Sequence, residues 1–131
     1  MIPCVRFKEG VQLKGSPGGV RILAAFDHTA KVIGHDMTIT SGSDGLHSGP
    51  NDPHHRGDAY DGRTHDLPDK EAALKELQNF LGPAFYVFIE DPDDVTHADP
   101  DKSNEHFHCQ VRRGTVYPPL SPDSAIDEAD A

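Results

Sequence analysis

The apolar positions of this chain fall into short periodic runs separated by glycine, proline and acidic stretches. An entry segment over Val5–Lys14 predicts a short strand or turn and ends at the breakers Gly15, Pro17, Gly18 and Gly19. From Val20 the apolar residues Ile22, Leu23, Phe26, Ala30 and Ile33 recur at three- and four-residue steps. They form one face of a helix, with Gly34 as its C-terminal cap. Met37–Thr40 is a short β-prone run that enters a Ser/Gly/Asp/Pro-rich loop from Ser41 to Pro53, and Ala59–Thr64 predicts another strand. Asp66, Leu67 and Pro68 mark the start of a second helix, since proline is tolerated in a first turn. Ala73, Leu74, Leu77, Phe80 and Leu81 make its buried face, Gly82 ends it, and Glu71 and Lys75 support its exposed side from four residues apart. Phe85–Ile89 is strongly β-prone. Glu90–Asn104, acidic and holding two Asp-Pro steps, predicts a long loop, and the alternation over His106–Arg112 predicts a strand.

Two helices interleaved with several short strands predict an α+β domain with a small antiparallel sheet over residues 1–117. Beyond Tyr117, Pro118, Pro119 and Pro122 lead into an Ala/Asp/Glu end, and residues 118–131 are expected to be a disordered acidic tail.

Composition narrows the function classes. At 131 residues the chain is one domain by size and long enough to bury a core, yet only 35% of it is hydrophobic and it carries 12 glycines and 11 prolines. The net charge is −10, with acidic residues clustered in Glu90–Asp101 and Asp123–Asp130. Such a surface repels phosphate backbones and argues against a nucleic-acid partner. No window approaches the roughly 20 apolar residues of a membrane span. Met1–Gly19 lacks an apolar stretch behind a basic one, so synthesis in the cytoplasm without a secretory signal peptide is expected. Cys4 and Cys109 make no disulfide framework and no C-x-x-C, which predicts two reduced thiols. Nine histidines are the unusual count, and what matters is their placement beside acids.

The first such placement is His54-His55-Arg56-Gly57-Asp58-Ala59-Tyr60-Asp61. A loop delivers a histidine, a glycine lets the backbone turn, and an aspartate follows on a short strand beside the small Ala59. Imidazole nitrogen and carboxylate oxygen are both zinc donors at roughly 2.0–2.2 Å. Taken alone, the segment equally fits a loop histidine and a capping aspartate. The second placement is Glu105-His106-Phe107-His108. On a strand, His106 and His108 share one face and Phe107 takes the other, so Glu105 reaches the site of His108 only from the loop just before the strand. Taken alone, this segment also fits exposed histidines on an edge strand. Together the two supply two neutral histidines, one carboxylate ligand and a further glutamate, which is the requirement for a catalytic zinc site with an open position and a nearby base.

The pattern H-x-x-G-x-A-x-D over His54–Asp61, followed by E-x-x-H over Glu105–His108, resembles the zinc peptidases of the D-Ala-D-Ala carboxypeptidase and dipeptidase type. That superfamily includes phage endolysin L-Ala-D-Glu peptidases and the hedgehog signalling domain. Thr38-Ile39-Thr40-Ser41-Gly42, with Asp44, Gly45 and His47 beyond, looks like the lead-in of compact phage-encoded members, and Asp61, Arg63 and Thr64 look like their continuation. The resemblance covers about Val5 to Arg112. It implies a small α+β fold whose antiparallel sheet lines a zinc cleft, Zn2+ held by His54, Asp61 and His108, and Glu105 as general base. His47, Arg63 and His106 are the positions it offers for holding substrate. The chain departs from the family pattern at Asp52 in place of a serine, at Gly62 in place of an aliphatic residue, and at Phe107 in place of a tryptophan. It also lacks the arginine that follows the Ser-Gly step in the bacterial enzymes.

The implied substrate is the stem peptide of peptidoglycan, cut at an L-Ala-D-Glu or D-Ala-containing bond. An enzyme without a signal peptide would meet it after release through a permeabilised membrane or as part of a virion. The alternative from another class is a zinc-bearing binding module without turnover, as in the hedgehog branch. A calcium site in Glu90–Asp101 is a third reading, but that loop lacks the glycine and terminal glutamate of an EF-hand.

Overall fold

The computed structural model describes residues 2–42, 57–91 and 105–112. In chain order the elements are β1 (Val5–Phe7), α1 (Pro17–Ile33), β2 (Met37–Ser41), β3 (Ala59–Arg63), α2 (Lys70–Leu81), a 3-10 turn over Gly82–Ala84, β4 (Phe85–Glu90) and β5 (His106–Val111). The strands form one sheet in the order β1-β2-β3-β5-β4. The α+β class expected from the sequence is the one observed. The sheet, expected to be antiparallel, is mixed. β2–β3, β3–β5 and β5–β4 pair antiparallel, but β1 runs parallel to β2, with Val5, Arg6 and Phe7 opposite Met37, Thr38 and Ile39. The cause is the connection: α1 carries the chain back along the sheet before β2 begins, and such a crossover delivers a parallel neighbour.

Both helices start at side-chain caps. Ser16 Oγ accepts the Gly19 N–H at 2.9 Å while its hydroxyl donates to the Gly57 carbonyl at 2.8 Å. α1 therefore begins at Pro17, three residues before the apolar pattern starts, and the residues read as breakers form its first turn. Proline at that point gives up an N–H that a first turn leaves unused. Gly19 is required by space, since a Cβ there would lie 2.1 Å from the Gly57 carbonyl oxygen. Gly34 caps the other end, its N–H donating to the Ala30 carbonyl. In α2 the cap is Asp69, which accepts the Ala72 N–H at 3.0 Å, so the helix starts later than Asp66–Pro68. Phe80, expected on the buried face of α2, is half-exposed and lies against the His28 ring at 5.0 Å.

Helix burial leaves the sheet with two unlike faces. Ile22, Phe26 and Ala30 of α1 and Ala73 and Leu77 of α2 close over Met37, Ile39, Tyr60, Phe107 and Cys109, all but removed from solvent. At roughly 1.5–3 kcal/mol for each large apolar side chain, this layer is the main source of stability. The tightest approach is at Gly62, where a Cβ would stand 2.4 Å from Phe26 Cε1. The Phe26 ring uses that space and meets Phe107 edge-on, with ring centroids 6.4 Å apart. β1 is tied in by two carboxylates. Asp36 accepts the Cys4 N–H at 3.0 Å and pairs with Arg6, and Asp27 accepts the Val5 N–H at 3.1 Å and pairs with Lys31. At the far side of the sheet, Gln78 Nε2 of α2 donates to the Val87 carbonyl of β4 at 3.0 Å. Among the described residues, no helix is long and apolar enough to cross a membrane.

Two outcomes follow. Gly62→Ala forces the Phe26 ring out of a closed layer and lowers unfolding free energy by about 1–3 kcal/mol in urea titrations, and Phe26→Leu in the same chain recovers part of the loss. The hydrogen bond from Cys4, with the Arg6 pair, holds Asp36 below its ordinary pKa. A carboxylate depressed on folding stabilises fully above its unfolded pKa, and that stability is lost as pH falls through the folded one. Asp36→Asn therefore melts below the wild type at neutral pH, and the gap between the two melting temperatures closes on acidification below the ordinary aspartate range.

Candidate metal centre

The face of the sheet away from the helices carries a cluster of histidine and acidic side chains, and strand register decides which of them meet there. β3 and β5 pair so that Asp61 stands opposite His108, Gly62 opposite Phe107 and Arg63 opposite His106. Because Gly62 and Phe107 belong to the helix side, Asp61, His106 and His108 emerge together on the other. β4 adds Phe88 opposite His108 and Glu90 opposite His106.

His108 is fixed on three sides. Its Nδ1 lies 3.1 Å from Asp61 Oδ1, its Nε2 2.8 Å from Gln110 Oε1, and its ring rests against Phe88 at 5.1 Å between centroids. Burial pulls the pKa of the ring down, but the hydrogen bonds to Asp61 and Gln110 and the charges of Asp61 and Glu90 outweigh it and set the pKa above its ordinary value. The doubly protonated ring is the form that donates to both neighbours. His106 Nε2 stands 3.7 Å from Asp61 Oδ1. One donor atom each from Asp61, His106 and His108 come within 4.8 Å of one another. Two imidazole nitrogens and a carboxylate oxygen are a donor set that divalent transition metals accept, so this group could hold a metal ion.

Of the ligands implied by the sequence, Asp61 and His108 are side by side, and His54 lies outside the described residues, as does His47. Glu105 lies immediately before β5. Its carboxylate is held by Lys70 Nζ, 2.8 Å from each oxygen, and by the hydroxyl of buried Thr64, which donates at 2.7 Å. It is not one of the three residues whose donors converge. His106, offered by the resemblance for substrate, instead joins Asp61 and His108, and Arg63 is its cross-strand neighbour.

Glu90 was missed. Its Oε2 lies 3.3 Å from His106 Nε2 and 3.8 Å from His108 Nδ1. The alternation Tyr86, Phe88, Glu90 carried the signal, but the acidic composition that follows assigned Glu90 to a loop. The calcium reading of Glu90–Asp101 falls outside the described residues beyond Asp91. Both cysteines are free, and burial pushes the Cys109 thiol far above its ordinary pKa.

Compared with protein-family models, with curated proteins and with solved structures, the chain matches none.

If this face binds a metal, removing a donor has a direct readout. With Zn2+ titrated into metal-free protein against a chromophoric chelator, Asp61→Asn and His108→Ala should each weaken binding by more than the ~10–100-fold typical of an outer-shell partner. Glu76→Gln, on α2 beside His28, should leave it unchanged.

Proposed function

We propose that the protein is a zinc-dependent peptidase of the D-Ala-D-Ala carboxypeptidase and hedgehog-like type that cleaves a bond in the peptidoglycan stem peptide. The observation that carries this is the Asp61–His108 contact. Two of the three ligands implied by the resemblance, 47 residues apart in sequence, stand 3.1 Å apart on one sheet face. The same face collects His106 within reach and leaves the opposite face to the core.

His54, Asp61 and His108 are the proposed ligands, with His106 beside them. Bound zinc supplies Lewis-acid chemistry, polarising a peptide carbonyl and stabilising negative charge on its oxygen. Glu105 takes a proton from the attacking water and returns it to the leaving amine. Lys70 and Thr64 hold its carboxylate and limit its rotation. Arg63 and His47 are proposed to hold the carboxylates of the substrate.

The same hydrogen bonds favour a second reading, a zinc-bearing binding module without turnover. A glutamate gripped by a lysine on both oxygens and by a threonine is also a structural ion pair joining α2 to β5. Mass spectrometry of muropeptides separates the two. The peptidase yields cleaved stem peptides with wild type and about 10²–10⁴-fold slower cleavage with Glu105→Ala, zinc content being equal. Bound zinc with no cleavage by wild type establishes the binding module. Full activity in Glu105→Ala with zinc retained removes Glu105 from the mechanism.

A further inference from the structure

Glu90 ends β4 directly opposite His106, on the face shared by His108 and Asp61, and is 44% exposed. Its contacts among the described residues have an unusual form. One oxygen, Oε2, approaches both imidazoles, at 3.3 Å from His106 Nε2 and 3.8 Å from His108 Nδ1, without a hydrogen bond to either. Asp61 Oδ1 approaches the same two nitrogens at 3.7 and 3.1 Å. The four donors thus alternate as acid, imidazole, acid, imidazole, and each successive pair is 3.1–3.8 Å apart. Around an ion with donors at 2.0–2.2 Å, tetrahedral neighbours lie about 3.3–3.6 Å from each other. Glu90 Oε2 thus approaches the same two imidazole nitrogens as Asp61 Oδ1, from the neighbouring strand β4.

We propose that Glu90 is a direct ligand of the divalent cation held at Asp61, His106 and His108, adding a second carboxylate to their donors. The proposal rests on the metal-centre reading of this face and not on peptidase activity. Two carboxylates offset the cation's charge, and the donor set suits zinc and its transition-metal neighbours. Glu90 is also the most exposed of the four donors.

Metal binding is the test, read without any substrate. Metal-free wild type, Glu90→Gln, Asp61→Asn and the control Glu76→Gln are checked for folding by circular dichroism. Each is then titrated with Zn2+ against a chelator and with Co2+ by visible absorption. Direct ligation predicts that Glu90→Gln loses more than the ~10–100-fold in Zn2+ affinity expected of an outer-shell partner, and that its Co2+ ligand-field bands shift, while Glu76→Gln matches wild type. Unchanged affinity, or a drop within that range with unchanged cobalt bands, overturns direct ligation. If Asp61→Asn loses binding and Glu90→Gln does not, this proposal fails and the metal centre stands. If wild type binds neither ion, both fail.

Discussion

The register of β3 against β5 is the constraint on which the rest depends. Tyr60, Gly62, Phe107 and Cys109 turn inward under the helices, and every inward residue obliges its neighbours to turn outward. A slip of one residue would bring Asp61 and His108 into the apolar layer and push Phe107 and Tyr60 into water, at roughly 1.5–3 kcal/mol for each large side chain. The polar cluster is thus placed by the core behind it, and residues that touch no donor set its geometry. Gly62 shows how closely the two faces are coupled. The absent side chain makes room for Phe26, which seats α1 against the strand bearing Asp61.

Much of this was legible in the chain, for reasons that differ by element. Strand alternation placed His106 and His108 on one face, because that follows from local geometry. Nothing local says that Asp61 lies opposite His108, since pairing across 47 residues is decided by which faces become dry. The start of α1 was hidden because Pro17, Gly18 and Gly19 read as breakers, and it is the distant Gly57 carbonyl that makes Gly19 necessary. The parallel β1–β2 pair was likewise a property of the connection, invisible in either strand. Glu90 was obscured by its acidic neighbours, although the β-prone run before it already pointed its side chain correctly. The grip of Lys70 and Thr64 on Glu105 joins three separate segments and leaves no trace in spacing.

The cluster also explains how such residues tolerate one another without a cation. Two carboxylates on one face would repel, but the His108 ring between them is pushed toward its charged form by its hydrogen bonds to Asp61 and Gln110 and by the charges of Asp61 and Glu90. A proton and a metal ion held by this group would compete for the same nitrogens.

The Gln78–Val87 bond has a consequence for how copies of the chain meet. Among the described strands, β1 and β4 are the two edges, and β1 is only three residues long. On β4, one outward carbonyl near the middle of the strand is already satisfied by a side chain from α2. A strand arriving from another molecule would have to displace that amide before it could zip along the edge. A longer stretch of open backbone is the usual template for runaway stacking, and here a single glutamine interrupts it.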